Sequence, residues 1–288
     1  MNNSFEKISP TAWGVAYHRA LAEIKYAKEI FEQLEKSSLP TDPLETKYME
    51  RTKTSHITPQ FEARYKLINR LIRENKTNQI LEIASGLSPR GLEMTDDDLD
   101  LAYVEVDILS MADCKRKLLE KLFESKIFKP RTNLCLEDGD ALDVDSLLLA
   151  ANHFKEEPIT VINEGLLRYM NFDQKAIVAE NVRTLLEKFG GAWITSDITL
   201  ARILDQADEA KINRGMVKEM SGIDIDKNVF ASVEVAIKFF EGFGFTVEKH
   251  SFMEVADELI SPQKLSMGPE QVYDVAGHAV VFVMRLKK

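Results

Sequence analysis

The stretch LEIASGLSPRG, residues 81–91, reads as a strand that runs into a glycine turn. Open α/β sheets often hold nucleotide-type ligands at such turns. A P-loop would need GxxxxGK[ST], which the chain lacks. A dinucleotide fingerprint, GxGxxG, would need glycine where Ala84 and Pro89 stand. Because only Gly86 remains, the turn favours a ligand that brings no phosphate group.

From the strand before this turn to the end of the chain, short apolar runs alternate with helical segments. The pattern predicts strands within 79–84, 101–108, 132–138, 159–165, 192–198, 245–252 and 279–286, and helices over 110–125, 143–155, 173–189 and 231–242. Such alternation is typical of an α/β sheet with helices on both faces. The last two runs have no convincing helix between them, so we expect them to pair as an antiparallel edge.

The segment before the first strand is helical in pattern. Apolar residues recur at helical spacing over 11–36, which predicts one amphipathic helix, and a second helix is predicted over 59–75. The proline-containing stretch 37–59 between them reads as a loop. We therefore divide the chain into a helical cap, 1–76, and a core domain, 77–288. Within the core, about 199–230 is too long for a simple connection and is predicted to be a helical lid or a structural flap.

Composition excludes several classes of function. The chain has 288 residues, a net charge of −10 and a pI near 5.2, which disfavours binding to nucleic acid. The two cysteines, Cys114 and Cys135, have no metal-binding spacing, so no metal is expected. Neither a signal peptide nor a membrane-spanning run is evident, so we expect a cytoplasmic protein without a membrane partner. Monomer and homodimer both remain open.

Acidic residues recur where the predicted strands end. Asp107 ends the second strand, 21 residues after Gly86, where a carboxylate can accept hydrogen bonds from ribose hydroxyls. Asp140 follows the third strand and could meet an adenine amino group, and Glu164 follows the fourth. These positions share one edge of the sheet. The edge therefore suits an adenosine-like ligand that has a cationic part and no phosphate, and S-adenosylmethionine is such a ligand.

Several motifs resemble those of the leucine carboxyl methyltransferase superfamily. They are LEIASGLSPRG (81–91), YVEVD (103–107), DGDALD (138–143), NEGLLRYM (163–170) and ISPTAWGVAYHRAL (8–21). The resemblance is closest to the bacterial polyketide-type O-methyltransferases of the tetracenomycin-pathway kind, and it covers about 8–198. It implies a class I, Rossmann-like methyltransferase fold that uses S-adenosylmethionine and releases S-adenosylhomocysteine. That fold has a seven-stranded, mostly parallel sheet with an antiparallel last strand.

The resemblance also implies roles for individual residues. Gly86 matches the glycine beside the methionine part of the cofactor, Asp107 the ribose-binding acid, and Asp140 with Ala141 the adenine-contacting pair. Glu164 matches the acid near the aminoacyl part. The remaining predicted cofactor contacts are Arg64, as the arginine that meets the cofactor carboxylate, Arg90, as a second candidate for that role, and Glu82 and Ala84.

The predicted reaction is O-methylation of a small molecule, with a carboxylate as the preferred acceptor and a hydroxyl as the other. A carboxylate is ionised at neutral pH and needs no base, whereas a phenol, with a pKa near 10, would benefit from one. We expect Arg168, Tyr169 and Tyr17 to be the catalytic, acceptor-contacting residues. Weaker candidates are His18, Arg202 and Arg214. The histidines that could serve a phenol are His18, His56, His153, His250 and His278, and none stands in a base motif.

Three other functions stay open. The superfamily also contains enzymes that methylate the carboxyl terminus of a protein. A module that binds S-adenosylmethionine without catalysis would have the same cofactor motifs. A nicotinamide-dependent oxidoreductase could use a similar sheet, although the missing glycines argue against it.

Overall fold

A computed structural model describes residues 9–37, 42–202 and 208–287. Its centre is a seven-stranded sheet in the order β3-β2-β1-β4-β5-β7-β6. The strands are β1 Gln79–Ile83, β2 Ala102–Asp107, β3 Leu134–Asp138, β4 Ile159–Asn163, β5 Gly191–Thr195, β6 Phe245–Ser251 and β7 Val280–Leu286. Strands β1 to β5 pair in parallel, and β7 is antiparallel to both β5 and β6. The predicted sheet and its antiparallel last strand are confirmed.

Helices cover both faces of this sheet. They are α1 Ser9–Leu21, α2 Ala27–Ser37, α3 Pro43–Lys53, α4 Thr58–Asn75, α5 Arg90–Asp97, α6 Leu109–Glu124, α7 Val144–Ala150, α8 Phe172–Phe189, α9 Asp208–Ser221, α10 Val233–Glu241, α11 Ser261–Lys264 and α12 Pro269–Ala276. The predicted helices over 59–75, 110–125, 173–189 and 231–242 are confirmed. The helix predicted over 143–155 is shorter and ends in a 3-10 turn at Ala151–His153.

Alternate residues of the central strands enter two separate cores. On one face, Leu81, Val161 and Trp193 pack with residues of α7, α8 and α10. On the other, Ile80 and Ile162 pack with residues of α4 and α12. Because both faces are covered, β1 and β4 are buried along their whole length, including polar residues such as Glu82 and Thr160.

The prediction of a single helix over 11–36 is wrong. The chain turns back after Leu21, with Glu23 and Tyr26 at positive φ, and α2 packs against α1. The rings of Trp13 and Phe31 lie 5.2 Å apart, whereas a continuous helix would separate these residues by about 27 Å. Helices α1 and α2 each bury one apolar stripe, so the helical periodicity of apolar residues continues across the turn between them. No glycine or proline in the sequence marks this turn.

The prediction of a loop over 37–59 is also wrong, because α3 lies within it. The Asp42 side chain accepts a hydrogen bond from the Leu44 N–H at 2.6 Å, and Pro43 occupies the first turn. Proline residues favour a loop in this stretch, but a proline in the first helical turn favours a helix start. Helix α5, after the glycine turn, was not predicted. Helices α11 and α12 separate β6 from β7, so the expectation of no helix there is wrong although the antiparallel pairing is correct.

The predicted lid region contains α9, while its residues 203–207 lie outside the described part of the chain. Leu200 and Phe230 form a bridge at the base of the insert. Arg51 of α3 donates from Nε to Asn213 Oδ1 at 2.9 Å, so the insert contacts the amino-terminal helices. The division at residue 76 and the lid function remain predictions. Of the helices described, none has the length and apolar character needed to cross a membrane.

Candidate active site

The glycine turn after β1 has two residues in the left-handed region. Ala84 has φ 56° and Gly86 has φ 53°. Holding an alanine in this conformation costs roughly 1–2 kcal/mol, so the surrounding contacts must stabilise the turn. A Cβ added to Gly86 would meet no atom within 4 Å, so the turn faces open space there.

Asp107 holds this turn from the end of β2. Its carboxylate accepts hydrogen bonds from the Gly86 N–H at 2.6 Å and from the Ile108 N–H at 2.8 Å. Burial raises the pKa of Asp107, and these two backbone hydrogen bonds oppose that rise. The predicted ribose acid and the predicted motif glycine are therefore in direct contact.

The sheet register aligns the other predicted residues along the same edge. Ile83 pairs with Val106 on one side and with Asn163 on the other, so the segments after β1, β2 and β4 leave the sheet together. After β3, the Asp140 carboxylate accepts from the Leu142 N–H at 2.9 Å, and the Ala141 carbonyl accepts from Asn181 at 2.9 Å. The loop that contains the two predicted adenine contacts is thus fixed by its own hydrogen bonds.

Glu164 lies at the centre of a buried arginine cluster. Its Oε1 is 2.6 Å from Nη2 of Arg19 and 2.8 Å from Nε of Arg64, and its Oε2 accepts from Arg90. The Glu164 side chain is 2% exposed. Burial alone would raise the pKa of Glu164, but the three guanidinium charges outweigh it and hold the pKa well below its usual range. Glu164 is therefore a permanent carboxylate that joins α1, α4 and α5 to the end of β4.

Arg90 is fully buried, so it lies inside this cluster instead of at the surface of the turn. Its guanidinium donates to Glu82 and Glu164, and its Nε donates to Asn69 Oδ1 at 2.7 Å. Glu82 also accepts from the Tyr103 hydroxyl at 2.8 Å. Glu82 and Arg90, both predicted as cofactor contacts, are buried and bond to each other, and Arg90 also bonds to Glu164 and so helps to position it.

The sequence analysis missed Arg19, which reaches Glu164 from α1. Arg19 lies three residues after the buried Ala16, so helical spacing places it on the buried face of α1. This spacing was the signal available in the sequence. With Arg64 and Arg90 it places three positive charges against the carboxylates of Glu82 and Glu164. The cluster thus has one positive charge in excess. The Arg19 Nε is buried without a hydrogen-bond partner in the described part of the chain.

Asp197, just after β5, was also missed. It is 4% exposed and accepts from the backbone N–H groups of Gly165, Leu166 and Leu167 at 2.7–3.0 Å. A further bond comes from the Asn163 amide at 2.7 Å. Asp197 thereby fixes the backbone that follows Glu164, including Gly165 at φ 85°. The signal was available, since this is another acid at the end of a strand.

Arg168 and Tyr169, the predicted acceptor residues, continue this fixed loop. The Tyr169 hydroxyl donates to Thr11 Oγ1 of α1 at 3.1 Å, and the Arg168 guanidinium lies 5.8 Å from the Tyr169 ring centre. The Arg168 Nε is buried with no hydrogen-bond partner, and among the described residues Arg168 has no ion pair. Burial raises the pKa of Tyr48 in α3 to about 12, and Tyr48 is close enough to Tyr169 and Arg168 that Tyr169 adds to this rise while the Arg168 charge opposes it.

The remaining candidates have structural surroundings. Tyr17 stacks on Trp13 and donates to the Lys53 carbonyl at 3.3 Å. His18 is buried against Thr58, and burial together with the charge of Arg64 lowers its pKa to about 3, so it is a poor base. Arg214 is buried and pairs with Asp226 at 2.7 Å, whereas Arg202 is exposed.

Two surface cavities open elsewhere than at this strand edge. One, of about 550 Å³, is lined by residues that include Tyr65, Asn69 and Glu93. The other, of about 240 Å³, includes His56 and Asp274. Neither contains a predicted cofactor residue, so the candidate site rests on the alignment of the strand ends and their charges.

This sheet order, with acids at the ends of successive strands, defines a class I methyltransferase. The family model for leucine carboxyl methyltransferase matches residues 12–183, more than half of the 288-residue chain. The chain therefore belongs to the leucine carboxyl methyltransferase family, as its motifs predicted, and S-adenosylmethionine is the cofactor of this class. No curated protein matches the sequence significantly.

Solved structures with the same fold are distant in sequence. A DUF574-family protein from Streptomyces avermitilis is 15% identical, with a TM-score of 0.56 over 95% of this chain and 97% of that one. A SAM-dependent methyltransferase from Anabaena variabilis is 12% identical, with a TM-score of 0.52 over 87% and 96%. The methyltransferase domain of bacterial CtHen1 is 12% identical, with a TM-score of 0.51 over 81% and 100%. At these identities the likeness establishes the fold alone.

The arginine cluster predicts how stability responds to the loss of Glu164. Glu164→Gln should lower the free energy of unfolding at pH 7 by about 3–5 kcal/mol, because three buried guanidinium groups lose their shared partner. A depressed native pKa contributes stability above the unfolded value of about 4.3, and this contribution is lost as the pH falls below it. The gap between wild type and variant should therefore be constant from pH 7 to 5 and narrow below about pH 4.

Urea unfolding followed by circular dichroism across this pH range measures the gap. Glu187→Gln is the matched control, because Glu187 forms an exposed i,i+4 pair with Arg183, and its loss should cost at most about 0.5 kcal/mol. A Glu164→Gln variant as stable as that control would contradict the proposed importance of the cluster.

Proposed function

We propose that this methyltransferase transfers the methyl group of S-adenosylmethionine to an oxygen of a small carboxylic acid. The observation that carries the proposal is Arg168, a partly buried guanidinium with no ion pair among the described residues, which follows the strand that leads to Glu164. An unpaired cation beside a cofactor edge favours an anionic acceptor. The likeness to polyketide-type enzymes supports a small molecule.

The residues at the sheet edge fit the cofactor in order. The excess positive charge around Arg19 and Arg64 suits the aminoacyl carboxylate. Asp107 would accept from the ribose hydroxyls, and the loop at Asp140 and Ala141 would contact the adenine. Open space beside Gly86 leaves room between these ends. Glu82, Ala84 and Arg90 would act by shaping this edge.

Glu164 has two tasks in this proposal. Its negative charge is suited to the ammonium group of the cofactor, and it holds Arg19 and Arg64 in position beside the carboxylate. Because Asp197 fixes the loop after Glu164, the same unit also sets where Arg168 stands. Cofactor and acceptor would therefore be aligned by one rigid segment, which is what an in-line displacement requires.

Once cofactor and acceptor are aligned, methyl transfer requires few further contributions from protein side chains. S-adenosylmethionine supplies a methyl group already activated by a positively charged sulfur. A carboxylate acceptor is ionised at neutral pH, so no side chain needs to remove a proton. Arg168 would bind one acceptor oxygen while the other attacks, and Tyr169 and Tyr48 would supply further hydroxyl contacts. The low pKa of His18 argues against a phenol acceptor that depends on that histidine as a base.

Asp107→Ala tests the cofactor assignment. Loss of a charged hydrogen-bond acceptor should weaken S-adenosylhomocysteine binding by about 10- to 100-fold, corresponding to roughly 1.5–3 kcal/mol. Isothermal titration calorimetry measures the change. Asp138→Ala is the matched control, because Asp138 pairs with Asp107 across the two strands but its side chain is 45% exposed and bonds to Arg116. Equal affinities for the two variants would count against the assignment.

The acceptor assignment can be tested with a panel of aliphatic and aromatic carboxylic acids and radiolabelled S-adenosylmethionine. Carboxyl methyl esters release volatile methanol in alkali, whereas methyl ethers of phenols do not. We expect alkali-labile product with at least one acid. Arg168→Gln should raise the KM for that acid by about 10- to 100-fold, without changing the affinity for S-adenosylhomocysteine, because only the charged contact to the acceptor is lost.

The same assay separates the alternatives. Arg183→Gln, at an exposed arginine, should leave the KM unchanged. Alkali-stable product from phenols would replace the carboxylate by a hydroxyl acceptor. Labelling of a peptide carboxyl terminus in preference to every small acid would indicate a protein substrate. Binding of S-adenosylhomocysteine without any product would favour a non-catalytic module, and binding of NAD in its place would favour an oxidoreductase.

A further inference from the structure

Three side chains away from the arginine cluster form a hydrogen-bonded chain at the edge of the sheet. The Cys135 sulfur lies 3.6 Å from Nδ1 of His153, and Nε2 of His153 lies 2.7 Å from Oε1 of Glu137. Cys135 and Glu137 are two residues apart on β3, so both point to the same face and are separated by about 6.6 Å along the strand. The imidazole of His153, which follows α7, bridges that gap.

The hydrogen bonds determine the tautomer of His153. An ionised Glu137 can only accept a hydrogen bond, so Nε2 of His153 must carry the proton that it donates to Oε1 of Glu137. In the neutral ring, Nδ1 then has a free lone pair, and the Cys135 thiol must be the donor to it. The order of groups is nucleophile, base and orienting carboxylate, which is the arrangement that activates thiols and hydroxyls for attack.

The chain of groups is accessible to reagents. The His153 and Glu137 side chains are 43% and 39% exposed, and Cys135 is partly exposed. Over the described residues, no group of three or more His, Cys, Asp and Glu side chains is arranged to hold a metal ion. Burial and the Glu137 charge raise the pKa of the Cys135 thiol, so reaction depends on proton removal and not on a resting thiolate.

We propose that Cys135 is a nucleophilic thiol and a site of covalent modification by soft carbon electrophiles, with His153 as its general base and Glu137 as the group that orients His153. With iodoacetamide, the Cys135 sulfur bonds to the CH₂ carbon while the carbon–iodine bond breaks. Iodide leaves with the bonding electron pair. The thiol proton passes to Nδ1 of His153, and Glu137 balances the resulting imidazolium charge. Methyl transfer plays no part in this reaction.

Cys114 supplies an internal control, since it lies on α6 and is also partly buried. Its thiol pKa is likewise raised, in its case by burial. The folded protein is treated with a limiting amount of iodoacetamide at pH 7, and peptide mass spectrometry follows both cysteines with time. We expect Cys135 to react at least about tenfold faster than Cys114, a modest value for general-base assistance. In urea the two rates should become equal, because unfolding separates the three groups.

His153→Gln keeps the size of the side chain but removes the base, so it should reduce the Cys135 rate by at least about tenfold while leaving Cys114 unchanged. Glu137→Gln should give an intermediate rate. If exposure alone governed reactivity, removing the His153 ring would leave the Cys135 rate unchanged or raise it. That result, or a Cys135 no faster than Cys114 in the folded wild type, would overturn the proposal. Circular dichroism of each variant confirms that the compared proteins are folded.

Discussion

The contact between the Glu164 carboxylate and three arginines is the interaction on which the rest of the site depends. A buried carboxylate is costly unless it is paired and fully hydrogen-bonded, and here Arg19, Arg64 and Arg90 meet both of its oxygens. Each arginine comes from a different helix. The same contact therefore fixes α1, α4 and α5 against the end of β4. It also fixes the start of the loop that follows Glu164.

This arrangement explains how structural and functional demands share the same residues. Arg90 is fully enclosed and pairs with both Glu82 and Glu164, whereas Arg64 is slightly exposed and, among the described residues, pairs with Glu164 alone. The one excess positive charge of the arginine cluster slightly destabilises the protein without a ligand, but it favours the binding of a ligand that has a carboxylate. Asp197 fixes the backbone between Glu164 and Arg168. The regions proposed for cofactor and acceptor therefore cannot move independently.

Much of the fold could be predicted from local pattern. The seven strands follow from short apolar runs, and the acids at their ends mark the edge proposed for the cofactor because parallel strands share it. The helical reversal at Glu23 and Tyr26 could not be predicted, since neither residue type signals a positive φ. Helix α3 could not be predicted from its prolines, because Pro43 stands in the first helical turn, where proline is compatible with a helix.

Within the site, the residue types were easier to predict than their partners. The sequence identified Glu164, Arg64 and Arg90 but not that they contact one another, because ion pairs between distant segments leave no periodic signal. Arg19 and Asp197 could have been proposed from the sequence, Arg19 from its helical spacing after Ala16 and Asp197 as an acid after a strand, but their partners could not. The Cys135–His153–Glu137 chain also spans two elements, and only the spacing of Cys135 and Glu137 on one strand face is visible in the sequence.

A crystal structure of the protein with S-adenosylhomocysteine tests the central claim most directly. The account predicts that the amino-acid carboxylate of the ligand contacts the guanidinium of Arg64 or Arg19 while Glu164 remains bonded to Arg90, and that Asp107 accepts from the ribose. Density for the ligand elsewhere on the protein, or a ligand carboxylate that contacts neither arginine, would contradict the assignment of this arginine cluster as the cofactor site.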